Sequence, residues 1–277
     1  NFRIKVKNMK TLHFLILFTM SLLISAKPLH SQSQIAVPLS KPGQPGSLEM
    51  SFIMADVTVS AYDGSEVVIR YTGDNIREND TSRNSNRDGL RRIGGGGSGF
   101  EVTENNNRVV LDGGLPRGMI HFEILVPRNF SLNISVVTGP EIKVEGVNGN
   151  HEINHVNGEI RLINVSGSAL INTVNGNIKA IFASVAPDKP MAFSNVNGDI
   201  DVTLPANSRF TAKMRSEFGE MYTDFDLKMN SDPGPTVNRN NSRFKVEVNN
   251  WVIGDANGGG PEYMFKTLRG DFYLRKK

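Results

Sequence analysis

The sequence predicts an all-β protein, a parallel β-solenoid that forms one domain behind an export leader, and three observations carry that expectation. First, Val-x-Gly recurs with Val at positions 137, 147, 156, 165 and 174, at intervals of roughly nine residues, and returns as Val196-Asn197-Gly198. A constant interval marks a unit that repeats in space. Second, apolar and polar residues alternate through much of the chain beyond the leader, and no long stretch there carries a helical stripe with caps. Third, 27 glycines and no cysteine in 277 residues favour turns and leave packing, not disulfides, to hold the fold.

Residues 1–31 read as an upstream extension followed by a signal peptide. Met9-Lys10 precedes the apolar run Leu12 to Ile24, small residues follow at Ser25-Ala26, and a second cut fits after Leu29-His30-Ser31. The run is shorter than the roughly 20 residues a spanning helix requires, so no stable membrane span is expected after cleavage. The leader also biases the charge, because Arg3, Lys5, Lys7, Lys10 and Lys27 stand there without an acid. Without these five, the 31 basic residues fall to 26 against 28 acids, and the formal net charge of +3 becomes −2. Nucleic-acid binding, which needs a basic surface, loses its support. The lack of cysteine excludes a thiol nucleophile and thiolate metal ligands.

Residues 32–277 are expected to form the solenoid domain. Ser47 to Ser60 alternates apolar and polar residues, Tyr62 to Thr72 places a turn before a β-rich run, and Arg108 to Leu111 and Met119 to Val126 continue the theme. Residues 74–99 are polar and end in a glycine run, the composition of a long mobile loop, with Leu90 to Ile93 as its apolar contact. The most regular repeats span 137–204. There Asn-Gly supplies tight turns, and the alternation that follows points Ile160 and Leu162, Ala169 and Ile171, and Ile178 and Ala180 inward. Gly198-Asp199-Ile200, Gly219-Glu220-Met221 and Gly270-Asp271-Phe272 repeat the phase at wider spacing, which suits coils of two strand-plus-turn steps, roughly 18 to 22 residues long. Such coils bury an apolar face only by stacking. Stacking would align Asn148, Asn157, Asn175 and Asn197 in polar rows at the corners. Meander hairpins are the rival arrangement, since nine residues also suit a strand and a short loop. A second polar loop is expected over 230–241.

Several short motifs suggest chemistry. His151-Glu152-Ile153-Asn154-His155 fits H-E-x-x-H, the zinc-protease pattern. On a helix the two imidazoles share a face, whereas in a strand they stand roughly 13 Å apart and cannot share a metal. Asn-Gly on both sides favours the strand, and no later His supplies a third ligand, leaving Glu159 as the remaining donor. Gly94, Gly96 and Gly99 match a dinucleotide fingerprint, but the strand-like Phe100-Glu101-Val102 follows where a helix is required. Arg269-Gly270-Asp271 matches an integrin-binding tripeptide and also occupies the phase of another solenoid turn. Asp199 with Asp201, and Glu217 with Glu220, are the carboxylate pairs that could act on a polysaccharide. His121, His151 and His155 are the histidines beyond the leader, and no G-x-S-x-G elbow accompanies them. Trp251 reads as a core or capping residue. No catalytic, metal or cofactor-binding residue is assigned, and no cofactor is expected.

Taken in order, IAVPLSKPGQPGSLEMSF from Ile35, YDGSEVVIR from Tyr62, the Val-Asn-Gly series and WVIGDANGGGPEYMFKTLRGDFYLRK from Trp251 resemble the DUF4097 family of β-strand-repeat proteins. Members are commonly labelled adhesins and are common in Bacteroidetes. The resemblance covers nearly all of residues 32–277. It implies a right-handed β-helix-like fold in an exported envelope protein and brings no catalytic residues with it. The expected function is a noncatalytic structural or adhesin-like binding module, periplasmic, on the outer surface or secreted, with a glycan or an envelope or surface protein as partner. A polysaccharide-acting β-helix enzyme and a periplasmic partner of an envelope-stress signalling system are the alternatives.

Overall fold

The computed structural model describes residues 33–73, 99–113, 118–230, 236–240, 243–247 and 251–277. The signal peptide expected at 1–31 and nearly all of the loop expected at 74–99 lie outside these residues. Every regular element described is a strand. The first group comprises β1 (Ser33–Pro38), β2 (Gly46–Tyr62), β3 (Glu66–Gly73), β4 (Phe100–Asn105), β5 (Arg108–Gly113), β6 (Ile120–Pro127) and β7 (Phe130–Glu145). The middle holds β8 (Asn148–Asn175), β9 (Ile178–Val185), β10 (Met191–Ser194), β11 (Ile200–Leu204), β12 (Phe210–Ser216), β13 (Met221–Thr223) and β14 (Leu227–Met229). Last come β15 (Thr236–Asn240), β16 (Arg243–Glu247), β17 (Val252–Ala256), β18 (Glu262–Thr267) and β19 (Phe272–Lys276). The second loop expected at 230–241 is corrected in part, because β15 pairs antiparallel with β16. A β-branched pair, Thr236-Val237, sits within that polar stretch and suits a strand.

β2, β7 and β8 are long because each turns a corner and serves both sides of a coil. The first part of β2 pairs with β5 and the second part with β6, while β7 follows both parts with a register shift between Met54 and Val57. A front sheet results, in the order β4, β5, β2, β7, β8, β10, β18, β12, β17, β14, with β8 contributing twice. The back sheet runs β1, β3, β6, β2, β7, β8, β9, β11, β19, β13. Most pairings are parallel and in register. Ile142, Ile160, Ile178, Ile200, Phe272 and Met221 are successive neighbours on the back sheet. These are stacked coils, not meander hairpins.

Spatial order departs from chain order at both ends. β18 and β19 lie between the β10/β11 coil and the β12/β13 coil, so the C-terminal strands form a rung inside the stack. In the same way, β2 lies between the β5/β6 coil and β7. Antiparallel pairs flank the stack: β4 with β5 and β3 with β6 at one end, β17 with β12 and β14 at the other. A parallel stack left bare would offer strand edges to other chains, and such terminal units limit that exposure.

The core lies between the two sheets. Ile160, Leu162, Ala169, Ile171, Ile178 and Ala180 are all buried, as the alternation requires. Toward the C-terminal coils the inner rows turn aromatic: Phe193 stacks on Phe265 at 5.4 Å and 5°, and Phe210 on Tyr263 at 4.8 Å and 7°. In-register stacking places like side chains at successive rungs, so aromatic rows form without special design. Residues Gln34–Lys277 make one compact unit.

The valine-led repeat alternates between two corners, as coils of two strand-plus-turn steps require. At one corner Val147 and Val165 point inward and are fully buried. At the other, Val137, Val156, Val174 and Val196 point outward. Nine residues carry the chain halfway round a coil, so every second unit returns to the same corner. The asparagines divide in the same way. Asn197 donates to Asn175 and Asn175 to Asn157, each at 2.8 Å, whereas Asn148 donates to Asn129 at the opposite corner, also at 2.8 Å.

Candidate binding faces of the solenoid

The H-E-x-x-H residues lie in β8, in extended backbone, with both imidazoles facing the core. His151 and His155 fill inward slots taken elsewhere by apolar or small polar side chains. Leu132 is the lateral neighbour of His151, and Val136 that of His155. His151 Nε2 approaches the Ser166 carbonyl at 3.2 Å. Burial pushes its pKa from 6.5 down to about 4, against smaller opposing effects of the Ser166 and Val147 backbone. Burial likewise lowers His155, partly offset by the Glu159 backbone, although neither ring nitrogen has a partner at hydrogen-bond geometry. Among the described residues, no group of three or more His, Asp and Glu side chains is placed to hold a metal ion.

The position of His155 has its own logic. It immediately precedes Val-Asn-Gly, and the same slot holds Thr173, Asn195, Thr267 and Ser216 in later coils. Each of those four donates to a corner glycine carbonyl. Thr173 Oγ1 reaches Gly158 O at 3.4 Å, and Asn195 Nδ2 reaches Gly176 O at 3.2 Å and Gly198 O at 2.7 Å. Thr267 Oγ1 reaches Gly198 O at 3.5 Å, and Ser216 Oγ reaches Gly270 O at 3.2 Å. A carbonyl turned out of the ladder and buried without a partner would cost on the order of 1–3 kcal/mol. The polar residue at this slot is thus structural in those coils, a role visible in the sequence as T-V-N-G and N-V-N-G, whereas His155 in H-V-N-G makes no such bond.

The carboxylates considered for catalysis are spread over solenoid surfaces and are already engaged. Asp199 Oδ1 accepts the Asp271 backbone N–H at 2.8 Å, and Asp271 Oδ1 accepts that of Glu220 at 2.9 Å. Asn177 Oδ1 completes this column by accepting the Asp199 N–H at 2.9 Å. Asp201 is paired with Arg275 at 2.9 Å, and Glu217 with Arg215. Glu220 accepts the Tyr222 hydroxyl at 3.2 Å. Arg269-Gly270-Asp271 belongs to the same corner: Gly198 N–H donates to Arg269 O at 2.9 Å, and the Asp271 carboxylate also accepts Tyr273 Oη at 3.1 Å. Gly99 precedes strand β4, the wrong context for a dinucleotide fingerprint, and residues 94–98 lie outside those described. Trp251 is half-buried, with Lys213 Nζ 5.2 Å and the Arg215 guanidinium 5.8 Å from its ring centre.

Two outward faces remain. On the back sheet, Lys143, Arg161, Lys179, Asp201, Tyr273 and Tyr222 are successive lateral neighbours in one row. Arg161 sits between Glu141 at 3.1 Å and Glu159 at 2.9 Å. Tyr222 and Tyr273 stack at 5.2 Å and 10°, and Arg275 lies 5.1 Å from the Tyr273 ring. On the front sheet, the outward valines continue at both ends into an apolar spine, from Ile53 through Val137, Val156, Val174 and Val196 to Leu268, with exposure from 36% at Val196 to 43% at Ile53 and Val137. In the next coil this row passes to Glu217, and Phe218, 74% exposed, stands beside it in the row of Asn197 and Arg269. The Asn157–Asn175–Asn197 ladder runs beside the spine.

Residues 131–252 match the family profile described as Toastrack DUF4097. Two solved structures are similar in arrangement. A candidate cell adhesion protein from Clostridium sporogenes shares 9% identity at a TM-score of 0.36, covering 89% of this chain and 100% of that one. A candidate adhesin from Bacteroides fragilis shares 9% identity at a TM-score of 0.27, covering 91% of this chain and 100% of its own. No curated protein matches the chain.

Proposed function

We infer that this chain, which carries a Toastrack DUF4097 match over residues 131–252, is a noncatalytic, exported module of the cell envelope that binds through an outward solenoid face. One observation carries the noncatalytic part: the carboxylates of the two candidate pairs and of Asp271 serve instead as acceptors for backbone N–H groups or a tyrosine hydroxyl, or as ion-pair partners of Arg275 and Arg215. A glycosidase needs one acid free to give its proton and a second free to reach the sugar. Here the acids hold corners and strands together.

The back sheet supplies the binding surface in this reading. Its row ends in two stacked tyrosines beside Arg275 and Asp201, a combination of flat aromatic surface and charged hydrogen-bonding groups that suits pyranose rings with ring substituents. Parallel stacking repeats its groups at roughly 4.8 Å, which gives a long, stiff polar face for an extended glycan or an envelope protein. Probing a glycan array and envelope extracts with the purified chain tests the proposal. Binding is expected, and Tyr222→Ala with Arg275→Ala should reduce it about tenfold or more, the effect of losing an aromatic contact and a charged hydrogen bond. Failure of the unaltered chain to bind any glycan or envelope component would contradict it. So would glycan turnover that disappears in Asp199→Asn or Asp201→Asn.

A further inference from the structure

The apolar spine on the front sheet has no partner among the described residues, and its surroundings are self-complementary. We propose that two copies of this chain associate face to face through the front sheet, with their spines antiparallel about a two-fold axis. Soluble monomers seldom expose a continuous line of large aliphatic side chains, and this line extends across the β2, β7, β8, β10 and β18 rungs, with β8 contributing twice. The row beside it is neutral through its middle, with Ser135, Asn154, Asn172 and Ser194, and Asn172 Nδ2 donates to Asn154 at 3.1 Å. On the other side, the amides of Asn157, Asn175 and Asn197 are joined to one another. Amides already paired along the axis offer little to sugar hydroxyls. Against an apolar surface they need no new partner.

Charge decides the relative direction. The β5/β2 end of this face carries Asp112 and the β18/β12 end carries Lys266, whereas Glu49 and Lys213 are already paired within the chain, with Arg108 and with Glu262 at 3.5 Å. Asp112 and Lys266 lie in the same row, at opposite ends of its neutral stretch, and both are exposed. Parallel spines would set basic ends together and acidic ends together, at a cost in repulsion. A two-fold axis parallel to the strands reverses one copy while each row still faces its own counterpart, which is the geometry of an isologous contact. Val156 then meets Val174, Val137 meets Val196, and Ile53 meets Leu268, while Lys266 of each copy comes opposite Ser51, one rung from Asp112, of the other.

Six rung steps at roughly 4.8 Å give a contact about 29 Å long, and three rows of side chains make it about 15–20 Å wide. The area is about 500 Å² per copy, near the lower limit for a specific interface, which implies a reversible dimer of micromolar affinity. The back sheet stays outward in both copies, so this proposal does not depend on the glycan-binding reading.

Sedimentation velocity of the full chain over a range of concentrations tests it. A monomer–dimer equilibrium is expected. Val174→Glu should abolish it with an unchanged far-ultraviolet circular dichroism spectrum, because that side chain points to solvent. Lys266→Glu and Asp112→Lys should each weaken it about tenfold, and the chain carrying both changes should recover most of the loss. A wild-type chain that remains monomeric would overturn the proposal, as would a dimer indifferent to Val174→Glu or a double variant no better than the singles.

Discussion

At His151 a polar, titratable side chain sits where the fold calls for an apolar one, and the consequence is a pH dependence with a definite sign. The ring is neutral in the folded state because burial lowers its pKa to about 4, while the unfolded chain titrates near 6.5. Between those values the unfolded state binds more protons, so stability is complete above about pH 6.5 and is lost as pH falls toward about 4. The shift corresponds to on the order of 3 kcal/mol over that window. Urea unfolding from pH 7 to pH 4 should show this decline, and His151→Leu should flatten it; an equal slope in both chains would contradict the burial of the ring. The sequence identified the strand context of this residue through its Asn-Gly flanks. It did not distinguish the two histidines, because their different roles depend on which corner each approaches. His155 precedes Val-Asn-Gly and stands in the slot of Thr173 and Asn195, whereas His151 lies deeper in the strand.

Corners are the elements on which the stack depends, and glycine holds them for reasons of space. A Cβ on Gly176 would strike the Gly158 carbonyl, and one on Gly270 would strike that of Gly198. Both glycines also have positive φ, 157° and 143°. Gly176→Ala should therefore cost about 3 kcal/mol or more, through collision with a neighbouring rung as well as backbone strain. Gly43 is the control, since its φ of 80° is strained for alanine but the space around it is open. Gly43→Ala should cost only about 1 kcal/mol. Thermal unfolding of the two variants measures the difference, and equal losses would mean that neighbouring rungs do not touch at the corner. Periodicity made these corners legible in sequence, along with the inward set from Ile160 to Ala180. The wider spacings fit two units per coil, but they do not say which corner turns its valine inward. Val147 and Val156 look alike in a list of repeats, yet one is buried and the other exposed. The direction in which the strand leaves each turn decides this, and a period of nine residues does not carry it. The assignment of 230–241 to a loop weighed its polar composition above the short β-branched run that forms β15.

Over the whole molecule, neighbouring positions in sequence are a poor guide to neighbouring rungs. The spacing from Gly198 to Gly219 suggests adjacent coils, but β18 and β19 occupy the place between them. The repeat in sequence could not express this, because an inserted rung uses the same Gly-acid-apolar phase as its neighbours. The inserted rung pairs with strands far earlier in the sequence, a slow route to parallel pairing. The same stacking builds both outward faces, so the proposed glycan surface and the proposed dimer surface depend on this order. The absence of cysteine in the chain allows a direct measurement with introduced pairs. Val196→Cys with Leu268→Cys should form an intramolecular disulfide rapidly under mild oxidation, because the two positions are adjacent in the spine, at roughly 4.8 Å between Cα atoms. Val196→Cys with Phe218→Cys should not, since one rung separates them and the distance is about 10 Å. Efficient closure of the second pair and not the first would contradict the stacked order from which both faces follow.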